Sequence, residues 1–105
     1  MNTSENRYDV LERLIYEEGL RIEAINFHKE LDMMLIVLNT KAILRQKISS
    51  YPRLQNAGEK ELNEYELIAE GTGIHWSSID EDLSLRGFLQ DELRNVVSTK
   101  NPLAA

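Results

Sequence analysis

Apolar residues recur at helical spacing near the start of the chain, at Tyr8, Leu11, Leu14 and Ile15. That one-sided stripe predicts a helix over residues 5–18, capped by Ser4 or Thr3 and stopped at Gly19. Glu17 and Glu18 oppose the helix dipole at that end, which favours fraying. The period then changes to two. Leu20, Ile22 and Ala24 alternate with polar residues, after which Ile25 and Phe27 take the opposite phase, placing a bulge or twist near Ala24. Residues 33–38 are apolar without a break, as expected of a central strand covered on both faces. His28-Lys29-Glu30 reads as the turn before it and Asn39-Thr40-Lys41 as the hairpin tip after it. A third strand returns over residues 43–48, its polar positions carrying cations.

Pro52, with no donor for a ladder, breaks the sheet. Asn56 and Glu59 have capping-box spacing and start a short helix running to about residue 64. Residues 65–69 form a fourth strand and Ile74-His75-Trp76 a short fifth, joined by the turn Gly71-Thr72-Gly73. Ser84 caps the last helix, with Leu83 and Phe88 spaced as a hydrophobic staple. Leu85, Phe88, Leu89, Leu93, Val96 and Val97 lie on one stripe, expected to be buried. The class is α+β: one small domain with a mainly antiparallel sheet of four to five strands, an N-terminal helix, a short middle helix and a C-terminal helix. Residues 1–19 form the amphipathic helical segment, 20–97 the α+β domain and 98–105 a loose tail.

A chain of 105 residues with 42% apolar and 29% charged residues suits one folded domain. It has no cysteine, which excludes disulfides, thiolate metal sites and cysteine nucleophiles, and fits a reducing compartment. The first residues lack the build of a signal peptide, and no apolar run is long enough to cross a bilayer, so the expected location is cytoplasmic. The net charge of −6 disfavours nonspecific nucleic-acid binding by the domain as a whole. The charge is uneven, however. Residues 41–53 carry four cations, Lys41, Arg45, Lys47 and Arg53, and no acid, whereas residues 59–82 carry eight acids against Lys60 alone. A basic strand of this kind suits docking to an acidic partner face or to phosphates; its plainer role is a charged edge that resists strand pairing.

Several further stretches occur together: Tyr51-Pro52-Arg53-Leu54, Asn56-Ala57, Asn63-Glu64-Tyr65-Glu66-Leu67, Gly71-Thr72-Gly73-Ile74-His75-Trp76, Ile79-Asp80-Glu81-Asp82-Leu83-Ser84 and Gly87-Phe88-Leu89. In this combination the chain resembles the bacterial family known as domain of unknown function 2442, over roughly residues 20–90. The resemblance implies a small α+β domain without an assigned reaction. Some members carry a helix-turn-helix after the domain, and some lie beside partners in gene pairs of toxin–antitoxin type. Three departures stand out: Ser77 where relatives often have proline, Asn39-Thr40-Lys41 in place of an Asp-Gly-type turn, and no length after Asn95 for a DNA-reading module. The N-terminal helix lies outside the resemblance and is a candidate interaction element through Tyr8, Leu11 and Ile15.

Three clusters invite chemistry. Asp80, Asp82 and Ser84 mimic the first ligand positions of a calcium loop, but the sixth position is Leu85 instead of glycine and the twelfth is Asp91 instead of glutamate. Acids before a helix equally favour its positive end. His75 beside Trp76 could act as a base or ligand, yet general-base catalysis needs a second positioned group that the spacing does not supply. Gly71-Thr72-Gly73 lacks the third glycine of a nucleotide loop, Trp76 standing there. Leu103-Ala104-Ala105 is similar to the end of bacterial degradation tags, with chance as the plain explanation. The sequence therefore points to a non-enzymatic interaction or adaptor module, antitoxin-like by resemblance, with a protein partner and no cofactor. The alternatives are a nucleic-acid-binding regulator acting through residues 41–53, and a metal-binding protein or enzyme centred on His75 and residues 80–82. Self-association through either terminal helix is compatible with the same pattern.

Overall fold

A computed structural model describes residues 9–99 of the chain. Helix α1 (Val10–Tyr16) starts later than the apolar stripe suggests, because its cap is Asp9. The Asp9 carboxylate accepts from the Glu12 N–H at 2.9 Å, and the Glu12 carboxylate from the Asp9 N–H at 3.4 Å. Ser4, Thr3 and Tyr8 lie outside the described residues. Gly19 follows the helix with φ +78°.

Strands β1 (Ile22–His28), β2 (Met33–Leu38) and β3 (Ile43–Gln46) form one antiparallel sheet in that order. The register of β1 on β2 shifts between Ile22 and Ala24, so Ile22 and Ile25, an odd number of residues apart, both face the core. On β2 the unbroken apolar run is covered on one face only: Met34, Ile36 and Leu38 are buried, whereas Met33, Leu35 and Val37 stay half-buried. The β2–β3 turn places Lys41 at φ +77°, with its N–H donating to the Leu38 carbonyl at 2.8 Å while Leu38 N–H donates to the Ala42 carbonyl at 2.9 Å. This is a three-residue hairpin loop with a left-handed last residue, the position glycine usually takes.

Pro52 opens a short helix α2 (Pro52–Gln55), where its missing N–H costs nothing. Asn56 ends α2 instead of capping the next helix. It is the Gly58 N–H, donating to the Glu61 carboxylate at 2.9 Å, that opens α3 (Glu59–Asn63).

A second antiparallel sheet, rather than an extension of the first, follows: β4 (Glu66–Ile68), β5 (Gly73–Trp76) and β6 (Glu81–Ser84), in that order. The sixth strand is the acidic stretch whose position before Ser84 suggests a helix lead-in. It pairs with β5 through a turn whose last residue, Asp80, is left-handed at φ +54°. Between β4 and β5 the chain takes positive φ at Ala69, Glu70 and Gly71 in succession. Helix α4 (Leu85–Thr99) then closes the molecule, with Ser84 Oγ accepting from the Gly87 N–H at 3.0 Å as its cap.

The two sheets meet at aromatic rings. Trp76 is fully buried, and its ring stands edge-on to Phe27 of the first sheet at 6.3 Å and tilted against Tyr65 at 6.4 Å. Its indole N–H donates to the Leu62 carbonyl at 3.0 Å. The Tyr65 hydroxyl in turn accepts from the Ile25 N–H at 2.9 Å and lies 3.3 Å from the Ile25 carbonyl, closing the outer edge of β1. Ile74, Leu54, Leu62, Leu85 and Phe88 complete a core shared by both sheets and all four helices. Among the described residues, no helix is long and apolar enough to cross a membrane.

Two substitutions test this account. Trp76→Phe keeps most of the ring but removes the bond to Leu62, and should cost about 2 kcal/mol in urea unfolding followed by circular dichroism. At Gly71 (φ +89°) an added Cβ would come within 3.0 Å of the Ile22 carbonyl oxygen. Gly71→Ala should therefore cost at least the ~1–2 kcal/mol of a left-handed non-glycine residue.

Candidate functional site

Helix α4 divides along its length. Its first half is in the core: Leu85 and Phe88 are buried and Leu89 is half-buried. The same helical spacing continues to Leu93, Val96 and Val97, yet these are 54%, 58% and 60% exposed. The expected buried stripe is thus buried for only half the helix, because the core ends beneath Phe88 and the helix runs on past it.

A polar seam marks that boundary. Gln46 of β3 is buried, its amide nitrogen 3.4 Å from both the Phe88 carbonyl and a Glu92 carboxylate oxygen. The Tyr51 hydroxyl lies 2.8 Å from Asp91 and 3.0 Å from Gln46 Oε1, sharing its one proton between them, and its ring stands edge-on to Phe88. Burial first, and then the Asp91 carboxylate beside it, push the Tyr51 hydroxyl well above the usual tyrosine range. The sequence did signal Gln46: it keeps the inward phase of Leu44 and Ile48. Close by, Asp32 accepts from the Ser49 hydroxyl at 2.6 Å and the Ser49 N–H at 2.8 Å, which lowers its pKa below the ordinary carboxylate value.

Strand β3 borders the exposed half of α4. Ile43, Arg45 and Lys47 share its outward phase, and Ile43 is 55% exposed. A groove of about 600 Å³ lies between Leu35, Ile43 and Arg45 on the sheet side and Glu92, Asn95 and Val96 on the helix side. The basic segment is not one patch. Lys41 pairs with Glu23 at 2.9 Å, and Arg53 donates to the Asp80 carbonyl at 2.8 Å and lies 3.9 Å from its carboxylate. Among the described residues neither Arg45 nor Lys47 enters an ion pair, although the charge of Lys47 reaches Asp32.

The N-terminal helix does not offer the face expected of it. Ile15 is buried in the core and Leu11 is half-buried. Asp9 and Glu12 pair with Arg86 of α4, and the Arg21 guanidinium donates to the Ile15 carbonyl at 2.6 Å. Tyr8 cannot be placed, lying outside the described residues.

The acidic cluster also separates. His75 Nδ1 lies 2.6 Å from Asp82 Oδ1 on the neighbouring strand, whereas Asp80 sits in the turn beside Arg53, and Glu81 takes the opposite phase to Asp82. A shallow cavity of about 440 Å³ beside Asp82 is lined by Tyr16, Thr72, Leu83 and Arg86 but not by His75. Among the described residues, no three histidine or acidic side chains are grouped to hold a metal ion. Asp91, the twelfth position of the would-be calcium loop, is engaged by Tyr51.

The other motif residues take structural places. Pro52 starts α2 and Leu54 is buried beneath it; Ile74 and Trp76 are core; Leu83 packs against the core and Ser84 caps α4. At Gly73 a side chain would press within 3.1 Å of Ile68.

Comparison with known proteins fits this picture. The model of the family described as "Protein of unknown function (DUF2442)" matches residues 22–92. Two solved structures are similar. A crystal structure of a protein of unknown function from Rhodospirillum rubrum has 22% identity and a TM-score of 0.61, covering 70% of this chain and 88% of that one. A solution structure of an uncharacterized protein from Chromobacterium violaceum has 22% identity and a TM-score of 0.63, covering 88% of this chain and 84% of that one. At that identity the likeness is one of fold. No curated protein matches the chain.

The seam yields a further prediction. Tyr51→Phe keeps the ring contact with Phe88 but leaves buried Gln46 without its donor. It should cost about 1–2 kcal/mol in urea unfolding with the fold retained.

Proposed function

The chain belongs to the DUF2442 family, and from that premise we propose that it is a non-enzymatic adaptor that docks a protein partner on the outer half of α4 and the adjoining strand β3. The observation that carries this reading is the strip Leu93, Val96 and Val97, each more than half exposed and continuous in helical spacing with the buried residues before it. Apolar side chains grouped on one exposed helix face mark contact surfaces. Ile43 extends the strip across the groove, and Arg45 supplies charge at its margin. An adaptor of the antitoxin kind, which neutralises a partner by covering it, needs such a face and no catalytic set.

This reading is preferred to nucleic-acid binding because Lys41 and Arg53 are committed within the chain, leaving Arg45 and Lys47 of the four cations on a protein of net charge −6. It is preferred to a metal centre because Asp80 and Asp82 are held by different partners.

The test is a pair of charge insertions, Leu93→Glu with Val97→Glu. Both positions are exposed, so the free energy of urea unfolding should change by less than about 0.5 kcal/mol. Crosslinking in cells of the source organism should recover a specific partner with the unaltered chain and lose it about tenfold or more with the double variant. Recovery of the same partner at the same yield by both would overturn the proposal.

A further inference from the structure

Resting on that docking reading, we propose that the partner contributes an extended segment, alternating apolar and acidic residues, that adds as a fourth strand along the free edge of β3 beneath the overhanging half of α4.

The backbone supports strand addition at this edge. The bond from Leu38 N–H to the Ala42 carbonyl sets the phase of the β2–β3 ladder. Because Ile36 lies opposite Leu44 and Met34 opposite Gln46, the N–H and C=O groups of Leu44 and Gln46 turn toward β2. Those of Ile43 and Arg45 consequently point off the edge of the sheet. β3 is terminal in the order β1-β2-β3, and the opposite edge is closed where the Tyr65 hydroxyl meets both backbone groups of Ile25. Such unpaired rows are templates for an added strand.

Side chains specify which strand. Ile43, Arg45 and Lys47 recur every second residue on the outward face, so a strand beside them meets apolar, basic and basic neighbours in turn. Its other face would continue the inward phase of Leu44 and Gln46, while Val96 of α4 stands across the groove from Ile43 and Arg45. The complementary segment reads apolar, apolar, acidic, apolar, acidic. A second copy of this chain fits poorly, because pairing β3 with itself antiparallel would set Arg45 and Lys47 against like charges.

The test uses a capped synthetic peptide, Ile-Val-Glu-Val-Glu-Val, at millimolar concentration with the full chain, read by amide hydrogen exchange. The proposal expects exchange at Ile43 and Arg45 to slow at least tenfold, the protection to weaken with added salt, and the double variant Arg45→Glu with Lys47→Glu to abolish it. The same peptide with lysine for glutamate should protect that double variant and not the unaltered chain. Three results would overturn the proposal: no protection at the β3 amides, equal protection by both peptides, or a chain whose mass in solution shows self-association that charge reversal at Arg45 strengthens. Loss of partner capture in the Leu93 and Val97 variant, together with unprotected β3 amides, would leave the docking reading standing and remove strand addition alone. Capture indifferent to that variant would remove the docking reading instead.

Discussion

The burial of Trp76 between two small sheets is the constraint on which the rest of the structure depends. Each three-stranded sheet has one apolar face in need of cover. Phe27 from the first sheet, Tyr65 from the lead-in to the second and the indole form a triangle of rings, with centroids 6.2, 6.3 and 6.4 Å apart. The polar atoms of this joint are satisfied in place: indole N–H to Leu62, and Tyr65 hydroxyl to Ile25. The Tyr65 contact also occupies backbone groups on the outer edge of β1, where no strand of its sheet pairs. Packing and hydrogen bonding thus fix the relative position of the sheets together.

That joint leaves the molecule asymmetric. At one side, β1 is sealed by Tyr65 and α3. At the other, β3 meets α4 through the seam of Gln46, Tyr51 and Asp91, and a groove opens between its outward residues and the outer half of the helix. Beyond the seam the helix continues with its apolar phase intact and with Leu93, Val96 and Val97 more than half exposed. The surface most suited to a partner is therefore produced where the core runs out, by a helix longer than the sheet it covers.

The residues that drew attention for their chemistry serve this architecture. Arg53 ties the β5–β6 turn to α2, and Arg86 fastens α1 to α4 through Asp9 and Glu12. His75 and Asp82 join neighbouring strands. Alternation along β6 parts Glu81 from Asp82, since consecutive residues of a strand point to opposite faces, and Asp80 stays in the turn before them.

Periodicity in the chain was enough to determine the α+β class, the first three strands with the bulge near Ala24, the turn at Asn39-Thr40-Lys41, and the cap at Ser84. Each follows from spacing within a few residues, where local sterics and hydrogen bonding decide. Helix and strand phase also carried the inward setting of Gln46 and the outward setting of Arg45. The tertiary structure alone decided which of those phases found a neighbour. The stripe on α1 and the stripe on α4 look alike in sequence, yet Ile15 is buried and Val97 is not, because burial depends on what a distant part of the chain places opposite. The same holds for residues 81–84, whose strand exists because β5 lies beside it, and for Lys41 and Arg53, whose acidic partners come from residues 23 and 80. Local pattern names the faces a chain can present; long-range packing chooses which of them remain in water.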